Sequence, residues 1–599
     1  MMSTAQSPAP PDSVPRHEHP RPQFQRETWL NLNGWWNFAF DFGGSGEEQG
    51  WPGDPSGFAS QILVPFCPES TLSRIGHMDF MSVVWYHREI EIPENWAGRN
   101  VRLHFGAVDY DCSVWVNGLE AGRHRGAGSS FHFEITALLK DGKNQLVVRA
   151  QDDARSRERP QGKQSPTFAS QGCHYTRTTG IWQTVWLEAL PASHIESVRV
   201  VPDLDGDCFV LTPMVADPRE QLRFRAVLCN SDGTELSLVL HPANATAPLR
   251  LHIPNPRPWS PSDPWLYNLR FELVDDRNEV IDRVQSYAGL RKVHIEGNRF
   301  FLNNEPLFLR FVLDQGFYPD GIWTAPSDAE LRADIERSLA VGFNGARLHQ
   351  KVFEERYHYW ADRLGYLTWG EFHDWGVDFK KPQALLNHQR EWTEVLLRDV
   401  NHPSILAWTP FNETMDGAYW APEAHRQALA AIYDLTRAID PTRPCHDTSG
   451  HVHVKTDIFS IHDYEQDPEK FADRYKTLDP ANPATAPVRE PNRSAPYTGQ
   501  PYVVAEYGGT WWDAAAEPAP GDDQKKSWGY GQRPTDIEEV YHRIEELTAT
   551  LIRHPEIAGF CYTQLTDVEQ EQNGIYTYDR QEKFDPLRLK NAFTKTSNE

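Results

Sequence analysis

The sequence predicts a chain of three domains: two all-β sandwiches followed by a closed barrel of eight strands and eight helices. Residues 23–190 consist of short alternating segments separated by turns, which is the pattern of an all-β sandwich. Residues 191–288 repeat that pattern with about seven strand candidates, as an immunoglobulin-like sandwich would. Residues 289–599 alternate strands with helices, which favours a (β/α)8 barrel over an open sheet.

Length and composition agree with several folded domains. At 599 residues the chain exceeds one ordinary domain, and 39% of its residues are hydrophobic, which is enough for several cores. A net charge of −25 disfavours nucleic acid and anionic membranes as partners. The seven cysteines are scattered and form no CxxC pair, which argues against a disulfide framework and a zinc site.

The N-terminal segment, residues 1–22, is rich in proline and polar residues and predicts a disordered tail. It has no apolar segment of the kind that a secretory signal contains. Elsewhere no stretch reaches the roughly 18 apolar residues that a membrane-spanning helix needs. The expectation is therefore a cytoplasmic protein without a membrane partner.

The two sandwiches are predicted from segments in which apolar and polar residues alternate between turns. In the first they are VVWYHREIEI (83–92), VRLHFGAV (101–108), CSVWVNG (112–118), SFHFEIT (130–136), NQLVVRAQD (144–152) and GIWQTVWLEAL (180–190). In the second they are SHIESVRVVPDL (193–204), LRFRAVLCN (222–230), LSLVLHP (236–242) and LYNLRFELVD (266–275). The second sandwich lacks a Cys–Trp–Cys pattern, so only the general immunoglobulin-like architecture is implied.

The barrel is predicted from eight strand candidates, most of which are followed by a helix. The segment 327–342 illustrates these helices, because it begins at a serine cap and ends at Gly342. The strand candidates are 306–313, 343–349, 366–372, 404–413, 445–449, 458–464, 502–508 and 557–565. A barrel of this type has its active site at the C-terminal ends of its strands.

Polar side chains stand at the C-terminal ends of seven of these eight strands. A lone carboxylate in such a place is more often structural than functional, but all these ends meet in one crevice. In strand order the residues are Asp314 and Gln315, Arg347 and His349, Glu371, Asn412 and Glu413, His462, Asp463 and Tyr464, Glu506, and Gln564. The set as a whole predicts a polar active site.

Glu413 and Glu506 place a pair of carboxylates in one barrel mouth, which suggests acid–base or glycosyl-transfer chemistry. Glycoside hydrolysis with retention needs one carboxylic acid and a second carboxylate about 5 Å away. Strands four and seven face each other across an eight-stranded barrel, which permits that separation.

The residues around both carboxylates resemble the motifs of glycoside hydrolase family 2, which contains β-galactosidases, β-glucuronidases and β-mannosidases. HPSILAWTPFNET and YVVAEYGG resemble its acid/base and nucleophile motifs. PRPQFQRETWLNLNGWWNFAFD (20–41) resembles the start of its N-terminal jelly roll, and FLNNEPLFLR and GFNGARLHQK resemble its first two barrel strands. The resemblance covers most of the chain and implies that the first sandwich is a jelly roll.

The resemblance also implies roles for five residues. Glu413 would be the general acid/base and Glu506 the nucleophile. Asn412 would bind the 2-hydroxyl of the sugar. Tyr464 would donate a hydrogen bond to Glu506, and Arg347 would favour the charged form of that carboxylate.

Further substrate contacts are expected from the other polar strand ends and from the loop after strand seven. The loop, residues 509–534, is rich in aromatic residues, which would either stack on a sugar or fasten the loop to the barrel. The residues expected to bind substrate are His349, Asp314, Glu371, His462, Trp528 and Gln564. No metal and no other cofactor is expected.

The sequence determines the sugar specificity less clearly, because two motifs of the family are altered in this chain. RLHQK (347–351) replaces the RxSHYP of β-galactosidases and β-glucuronidases. Within it, Lys351 would either be a pocket cation that suits the carboxylate of an acidic sugar or a solvated loop lysine. The Asn-x-Lys pair with which β-glucuronidases recognise a carboxylate is replaced by Glu571 and Asn573. A negative Glu571 would repel glucuronate, so the sequence favours a β-galactosidase-like enzyme.

The leading hypothesis is therefore an exo-acting, retaining β-glycosidase that acts on an oligosaccharide or a glycoconjugate. The same mechanism on a β-glucuronide or galacturonide, a β-mannoside or an arabinoside is the alternative within enzymes. A catalytically inactive carbohydrate-binding protein is the alternative outside them. By analogy with the family, a homo-oligomer is possible.

Overall fold

The structure is a computed structural model that describes residues 14–230, 232–513 and 527–595. The described residues form the three predicted domains: a jelly-roll sandwich, an immunoglobulin-like sandwich and a (β/α)8 barrel. Among the described helices, none combines the length and the hydropathy of a membrane span.

The jelly-roll domain packs a six-stranded antiparallel sheet against a four-stranded one, ordered β3-β2-β4-β10-β7-β8 and β1-β12-β5-β9. The core between them consists of the inward residues of the alternating strands, such as Phe38, Tyr86 and Leu103. Three short 3-10 helices join strands at Pro55–Gly57, Glu94–Trp96 and Thr136–Leu138. The strands are β1 (Trp29–Asn31), β2 (Gly34–Phe40), β3 (Ser60–Val64), β4 (Val83–Glu91), β5 (Asn100–Phe105), β6 (Val108–Asp109), β7 (Asp111–Val116), β8 (Leu119–Arg125), β9 (Phe131–Glu134), β10 (Lys143–Gln151), β11 (Gly180–Ile181) and β12 (Val185–Leu190).

The immunoglobulin-like domain packs a three-stranded sheet, β13-β14-β17, against a four-stranded sheet, β16-β15-β18-β19. Its core contains Phe209, Phe224 and Phe271, which alternate with more exposed residues along their strands. Its strands are β13 (His194–Asp203), β14 (Cys208–Ala216), β15 (Arg223–Cys229), β16 (Glu235–Pro242), β17 (Leu249–His252), β18 (Tyr267–Val274) and β19 (Val280–Ala288).

The barrel follows a small antiparallel sheet and has parallel strands in the order β26-β25-β24-β23-β29-β28-β27. The small sheet contains β20 (Val293–Glu296), β21 (Arg299–Leu302) and β22 (Glu305–Leu307). The barrel strands are β23 (Leu309–Asp314), β24 (Gly345–Leu348), β25 (Leu367–Glu371), β26 (Ile405–Thr409), β27 (Phe459–Asp463), β28 (Tyr502–Gly508) and β29 (Ile557–Thr563). The helices are α1 (Asp328–Ala340), α2 (Glu355–Leu364), α3 (Pro382–Asp399), α4 (Met415–Trp420), α5 (Pro422–Ile439), α6 (Pro468–Tyr475), α7 (Ile537–Arg553) and α8 (Pro586–Thr594), with a 3-10 turn at Pro483–Thr485.

The fifth predicted strand, residues 445–449, is not a regular strand. It occupies the position between β26 and β27, but only two isolated parallel bridges join it to β26 and the residues that follow: Trp408–Cys445 and Asn412–Ser449. On the other side, a side chain replaces the backbone ladder: the hydroxyl of Ser460 contacts Nε2 of His446 at 2.7 Å. The prediction of a regular strand is therefore wrong here, because side-chain hydrogen bonds take over the pairing that closes the barrel.

One loop of the jelly-roll domain, residues 161–177, lies against the mouth of the barrel; we call it the jelly-roll loop. The backbone N–H groups of Gln161 and Gly162 donate to the carbonyls of Trp375 and His373, at 2.8 and 3.0 Å. Gly162 has a positive φ of 60°, and a Cβ there would lie 2.3 Å from the carbonyl oxygen of Gln350. Only glycine allows this close approach, which brings the first domain to the strand ends.

The predicted disordered tail includes residues with defined contacts. Residues 1–13 lie outside the described residues, but Arg16 is 5% exposed and pairs with Glu354 at 2.6 Å. Its carbonyl also accepts a hydrogen bond from Asn33. The prediction of disorder is wrong for Arg16, because burial and a barrel carboxylate fix it in place.

The junction between the two sandwiches contains a buried ion cluster centred on Arg26. Its guanidinium lies 2.9 Å from Asp282 and 3.2 Å from Glu188, and all three side chains are almost fully buried. It also donates to the carbonyl of Ile195. Burial raises the pKa of Glu188, but Arg26 and His104 more than offset this, so that the pKa lies well below its usual value.

Replacing Arg26 with Met would leave two buried carboxylates without their cation. Breaking a buried pair by removing one partner typically costs about 3–5 kcal/mol, so we expect a clearly lower unfolding midpoint in calorimetry. Arg123→Met is the matched control, because its ion pair with Glu120 is exposed and should contribute little. Equal midpoints for the two variants would contradict a structural role of the cluster.

Candidate active site

Glu506 lies near the end of β28 and is buried at the floor of the barrel mouth. Nη2 of Arg347 is 2.5 Å from its Oε1, and the hydroxyl of Tyr464 donates to its Oε2. Burial and the adjacent Glu506 raise the pKa of Tyr464 well above its usual value, so this hydroxyl remains a donor. The two partners together stabilise a negative charge on Glu506.

Arg347 ends β24 as a fully buried cation that joins several strand ends. Its Nε lies 2.7 Å from Oε2 of Glu371, and its Nη2 donates to Oδ1 of Asn412 at 3.1 Å. Burial lowers its pKa, but Glu371 and Glu506 raise it by more, so the guanidinium stays charged. Burial raises the pKa of Glu371 to about 7, against the opposing effect of Arg347.

Glu413 follows β26 with a left-handed backbone, φ 45°, and its side chain is 22% exposed. Two histidines contact its Oε1: Nδ1 of His462 at 2.6 Å and Nε2 of His451 at 3.2 Å. Burial raises the pKa of Glu413, but these two histidines outweigh it and bring the pKa well below its usual value. In the free protein, Glu413 is thus held as a carboxylate that still faces the open mouth.

His462 contacts both carboxylates through one nitrogen. Its Nδ1 lies 2.6 Å from Oε1 of Glu413 and 3.3 Å from Oε2 of Glu506. These two contacts place the two oxygens no more than about 6 Å apart, which permits the carboxyl separation of about 5–5.5 Å that retaining glycosidases have. Inverting enzymes need a wider gap, so the geometry suits nucleophilic attack by one carboxylate.

Asn412 is oriented by contacts on three sides. Its backbone N–H donates to Asp374 at 2.9 Å, its carbonyl accepts from Nε1 of Trp375 at 3.1 Å, and its Oδ1 accepts from Arg347. Its buried Nδ2 has no hydrogen-bond partner among the described residues. A buried amide donor without a partner is costly unless a ligand satisfies it, so this N–H group is available to a substrate oxygen.

A second buried network forms the opposite wall of the mouth. Gln564 Nε2 donates to Asn573 at 2.7 Å, and Gln315 donates to both Gln564 and the hydroxyl of Tyr175. Tyr175 in turn donates to Oε2 of Glu571 at 2.5 Å. Tyr175 belongs to the jelly-roll loop, so this wall is built jointly by the first and third domains.

The structure brings most of the predicted site residues together. One continuous network of hydrogen bonds and ion pairs contains Glu413, Glu506, Asn412, Tyr464, Arg347, His349, Glu371 and His462. Gln564 belongs to the opposite wall. Within the network, Glu371 is fully buried behind Arg347 and His349 and supports them from behind the pocket.

Asp314 is not part of this network, contrary to its predicted role in substrate binding. Side chains alternate along β23, so Leu313 faces the barrel interior while Asp314 points outward to the helices. There it accepts from the hydroxyl of Tyr357 on α2 at 3.1 Å, and burial raises its pKa to about 6. The inward position at this strand end belongs to the next residue, Gln315.

Trp528 contacts the jelly-roll loop rather than Glu413 or Glu506. Its Nε1 donates to the carbonyl of Gly172 at 2.7 Å, and its ring lies edge-on to Tyr530 at 5.3 Å. Tyr530 stacks on Tyr464 with ring centres 3.4 Å apart. This part of the 509–534 loop therefore fastens two domains together, while residues 514–526 lie outside the described residues.

Lys351 is neither a pocket cation nor a solvated loop lysine. It is buried, and its ammonium donates to the carbonyls of Gly316 and Trp323 at 2.6 and 2.7 Å. Burial lowers its pKa to about 7.

Several site residues were not found from the sequence. Ser449 ends the irregular fifth segment and His451 follows it, and applying the strand-end rule there would have identified both. Lys163 and Tyr175 belong to the jelly-roll loop, and no periodic pattern marks that segment as part of the barrel mouth. Trp375 follows the third strand beyond its last predicted residue.

Glu413, His451 and His462 form the one group of three potential metal ligands found in the described ranges, with ligand atoms within 4.8 Å of one another. Both histidine nitrogens already contact the same oxygen of Glu413 at hydrogen-bond distance. Hydrogen bonding thus accounts for the cluster, and the absence of a required metal stays a prediction.

Three family models match the chain in succession. "Glycosyl hydrolases family 2, sugar binding domain" matches residues 30–191, "Glycosyl hydrolases family 2" matches residues 193–291, and "Glycosyl hydrolases family 2, TIM barrel domain" matches residues 325–519. Together they cover most of the chain.

Curated relatives carry two activities in their names. A β-glucuronidase of Paenibacillus borealis is 24% identical over 69% of this chain and 72% of its own length. A β-galactosidase of Thermoanaerobacter pseudethanolicus is 27% identical over 64% of this chain and 51% of its own length. A protein of Formosa agariphila is 28% identical over 60% of this chain, and the match spans only 44% of that protein. The chain thus spans about half the length of two of these relatives.

Solved structures share the whole fold. The β-glucuronidase of Ruminococcus gnavus in complex with D-glucuronic acid has a TM-score of 0.78, covers 97% of this chain and 100% of its own, and is 19% identical. The β-glucuronidase of Lactobacillus rhamnosus has a TM-score of 0.77, covers 96% of this chain and 98% of its own, and is 20% identical. From the three family models in succession and the shared architecture, the chain belongs to glycoside hydrolase family 2.

Proposed function

We propose that the protein is an exo-acting, retaining β-glycosidase that removes terminal β-linked sugars by double displacement. Glu506 would be the nucleophile and Glu413 the general acid/base. The observation that carries the proposal is the pair of carboxylates that Nδ1 of His462 contacts at 2.6 and 3.3 Å, which brings the two groups close enough for retention.

In the first step, Glu506 would attack the anomeric carbon. Arg347 and Tyr464 bind its two oxygens and stabilise the charge that makes it nucleophilic. The bond to the leaving oxygen breaks as that oxygen gains a proton from Glu413. Asn412 would bind the 2-hydroxyl through its unpaired Nδ2, a contact that would strengthen in the transition state.

Glu413 would take up the proton for the leaving group from solvent. In the free protein, His451 and His462 keep Glu413 largely ionised, so it must gain its proton as the substrate binds. After the glycosyl–enzyme forms, Glu506 has lost its charge and Glu413 acts as base toward water. The ionised form of Glu413 that the unliganded protein favours is also the form that acts as base in this second step.

A β-glucuronide is the first sugar to test, and a β-galactoside the second. Curated β-glucuronidases and one β-galactosidase are among the relatives of this chain. The sequence alone favoured a galactoside because the Asn-x-Lys pair is missing. The inactive-protein alternative is disfavoured, because both carboxylates have the contacts that catalysis needs.

The first experiment is a panel of 4-nitrophenyl β-glycosides, with product configuration followed by NMR. Turnover of at least one member with retained configuration is expected. No turnover, or an inverted early product, would overturn the proposal.

Replacing Glu506 with Ala should lower kcat by about 10⁴-fold or more, because no group remains to form the covalent intermediate. Added azide should restore product formation as a glycosyl azide of inverted configuration. Glu538→Ala, at an exposed position on α7, is the control and should retain full activity. Loss of activity without azide rescue, or an azide product of retained configuration, would contradict the assignment.

The pH profile should report the histidine contact to Glu413. His451→Asn suits the left-handed backbone at this position, φ 58°, and removes a partner that lowers the pKa of Glu413. The pKa of Glu413 should rise, so this acid stays protonated to higher pH. The basic limb of the pH profile of kcat/KM should therefore shift to higher pH. His542→Asn, an exposed control, should leave the limb in place. A limb that is unmoved or shifted downward in His451→Asn would refute this role.

A further inference from the structure

A buried lysine from the first domain reaches into the barrel mouth. Lys163 lies on the jelly-roll loop, and only 5% of its surface is exposed. Within the described part of the chain, no carboxylate lies within 4.0 Å of its ammonium group, and no hydrogen bond to it is formed. Its ammonium nitrogen is not one of the fully buried side-chain atoms without a partner, so it keeps contact with solvent and its N–H donors are open to a ligand from the mouth.

Two aromatic rings position the ammonium group between the walls of the site. Nζ lies 5.4 Å from the centre of the Trp375 ring and 5.8 Å from that of Tyr175. Trp375 donates to the carbonyl of Asn412, and Tyr175 donates to Glu571 on the opposite wall. Cation–π contacts hold a charge in place while its N–H donors stay free for another group.

The loop that carries Lys163 is fixed on both sides of this residue. Gly162 is hydrogen-bonded to His373 of the barrel, and the Lys163 carbonyl accepts from the N–H of Tyr175 at 2.7 Å. Further along, the N–H of Thr176 donates to Glu569 at 3.0 Å. Lys163 is thus presented to the pocket by backbone that the barrel itself holds.

The charge of Lys163 acts on both walls. Burial raises the pKa of Glu571, and Lys163 opposes that rise, as do the hydrogen bonds from Tyr175 and Asn573. It likewise opposes the burial effect on Glu371. Glu571 is therefore held by Tyr175 and Asn573 and does not form an ion pair with Lys163, which leaves the ammonium for a ligand.

We propose that Lys163 binds the carboxylate of a terminal β-linked uronosyl residue. It would supply this cation from the jelly-roll domain, because the guanidinium of Arg347 in the barrel is already paired with Glu371 and Glu506. This inference rests on the proposed glycosidase function and specifies its sugar class.

The test compares uronides with their neutral counterparts in the full-length protein. The substrates are 4-nitrophenyl β-D-glucuronide against β-D-glucoside, and β-D-galacturonide against β-D-galactoside. The wild type should prefer one uronide over its neutral counterpart. Lys163→Met should lower kcat/KM for that uronide by about 10- to 100-fold, as loss of a charged hydrogen bond does, and change the neutral sugar much less.

Two further variants control for charge and folding. Lys163→Arg keeps the charge and should retain part of the uronide preference. Lys381→Met removes a half-exposed lysine that pairs with Glu158 at the same domain boundary, and it should leave the preference unchanged. An equal loss on both substrates in Lys163→Met, or a wild type that prefers the neutral sugar, would overturn the assignment.

Binding measurements separate this inference from the proposed function. If no glycoside is turned over, the glycosidase proposal fails, and calorimetric titration with D-glucuronate, D-galacturonate, D-glucose and D-galactose tests Lys163 alone. Tighter binding of a uronate than of its neutral sugar, lost in Lys163→Met, would support it. Equal binding of uronate and neutral sugar would refute it. Turnover of neutral glycosides only would keep the glycosidase and refute the role of Lys163.

Discussion

The candidate site depends on a single buried cation, Arg347. Its guanidinium contacts Glu371, Asn412 and Glu506, and so it joins the ends of the second, third, fourth and seventh strands. A cation with no exposed surface is stable only when carboxylates surround it, and here two of them do. The same contacts orient the amide of Asn412 and fix the proposed nucleophile. The contacts of Arg347 thus both stabilise the barrel mouth and position the groups that are proposed to react.

The two carboxylates differ because their surroundings differ. Glu506 is paired with a permanent charge and a phenol, whereas Glu413 is paired with His451 and His462, which can exchange protons. A carboxylate beside a fixed cation suits a nucleophile, and one beside titratable groups suits proton transfer. His462 also contacts both carboxylates, so protonation at one of them affects the other.

The jelly-roll domain contributes to the site directly. Its loop 161–177 supplies Tyr175 to one wall and the unpaired ammonium of Lys163 to the mouth. The hydrogen bonds from Gly162 to the barrel and from Trp528 to Gly172 fasten this loop from two directions. Under the proposed role of Lys163, the first domain would set the selectivity for the sugar, while Glu413 and Glu506 belong to the barrel.

The sequence by itself determined the two sandwiches and the barrel, because strand and helix periods are local features. The resemblance of two strand-end motifs to a known family indicated the proposed catalytic pair. It also indicated Arg347 and Tyr464, which follow strands directly. Only the tertiary structure decided that Asp314 points outward, that His451 contacts Glu413, and that Lys163 enters the mouth. The physical reason is that these positions depend on strand rotation, on an irregular fifth segment, and on docking between domains. None of these features produces a periodic pattern of residues in the sequence.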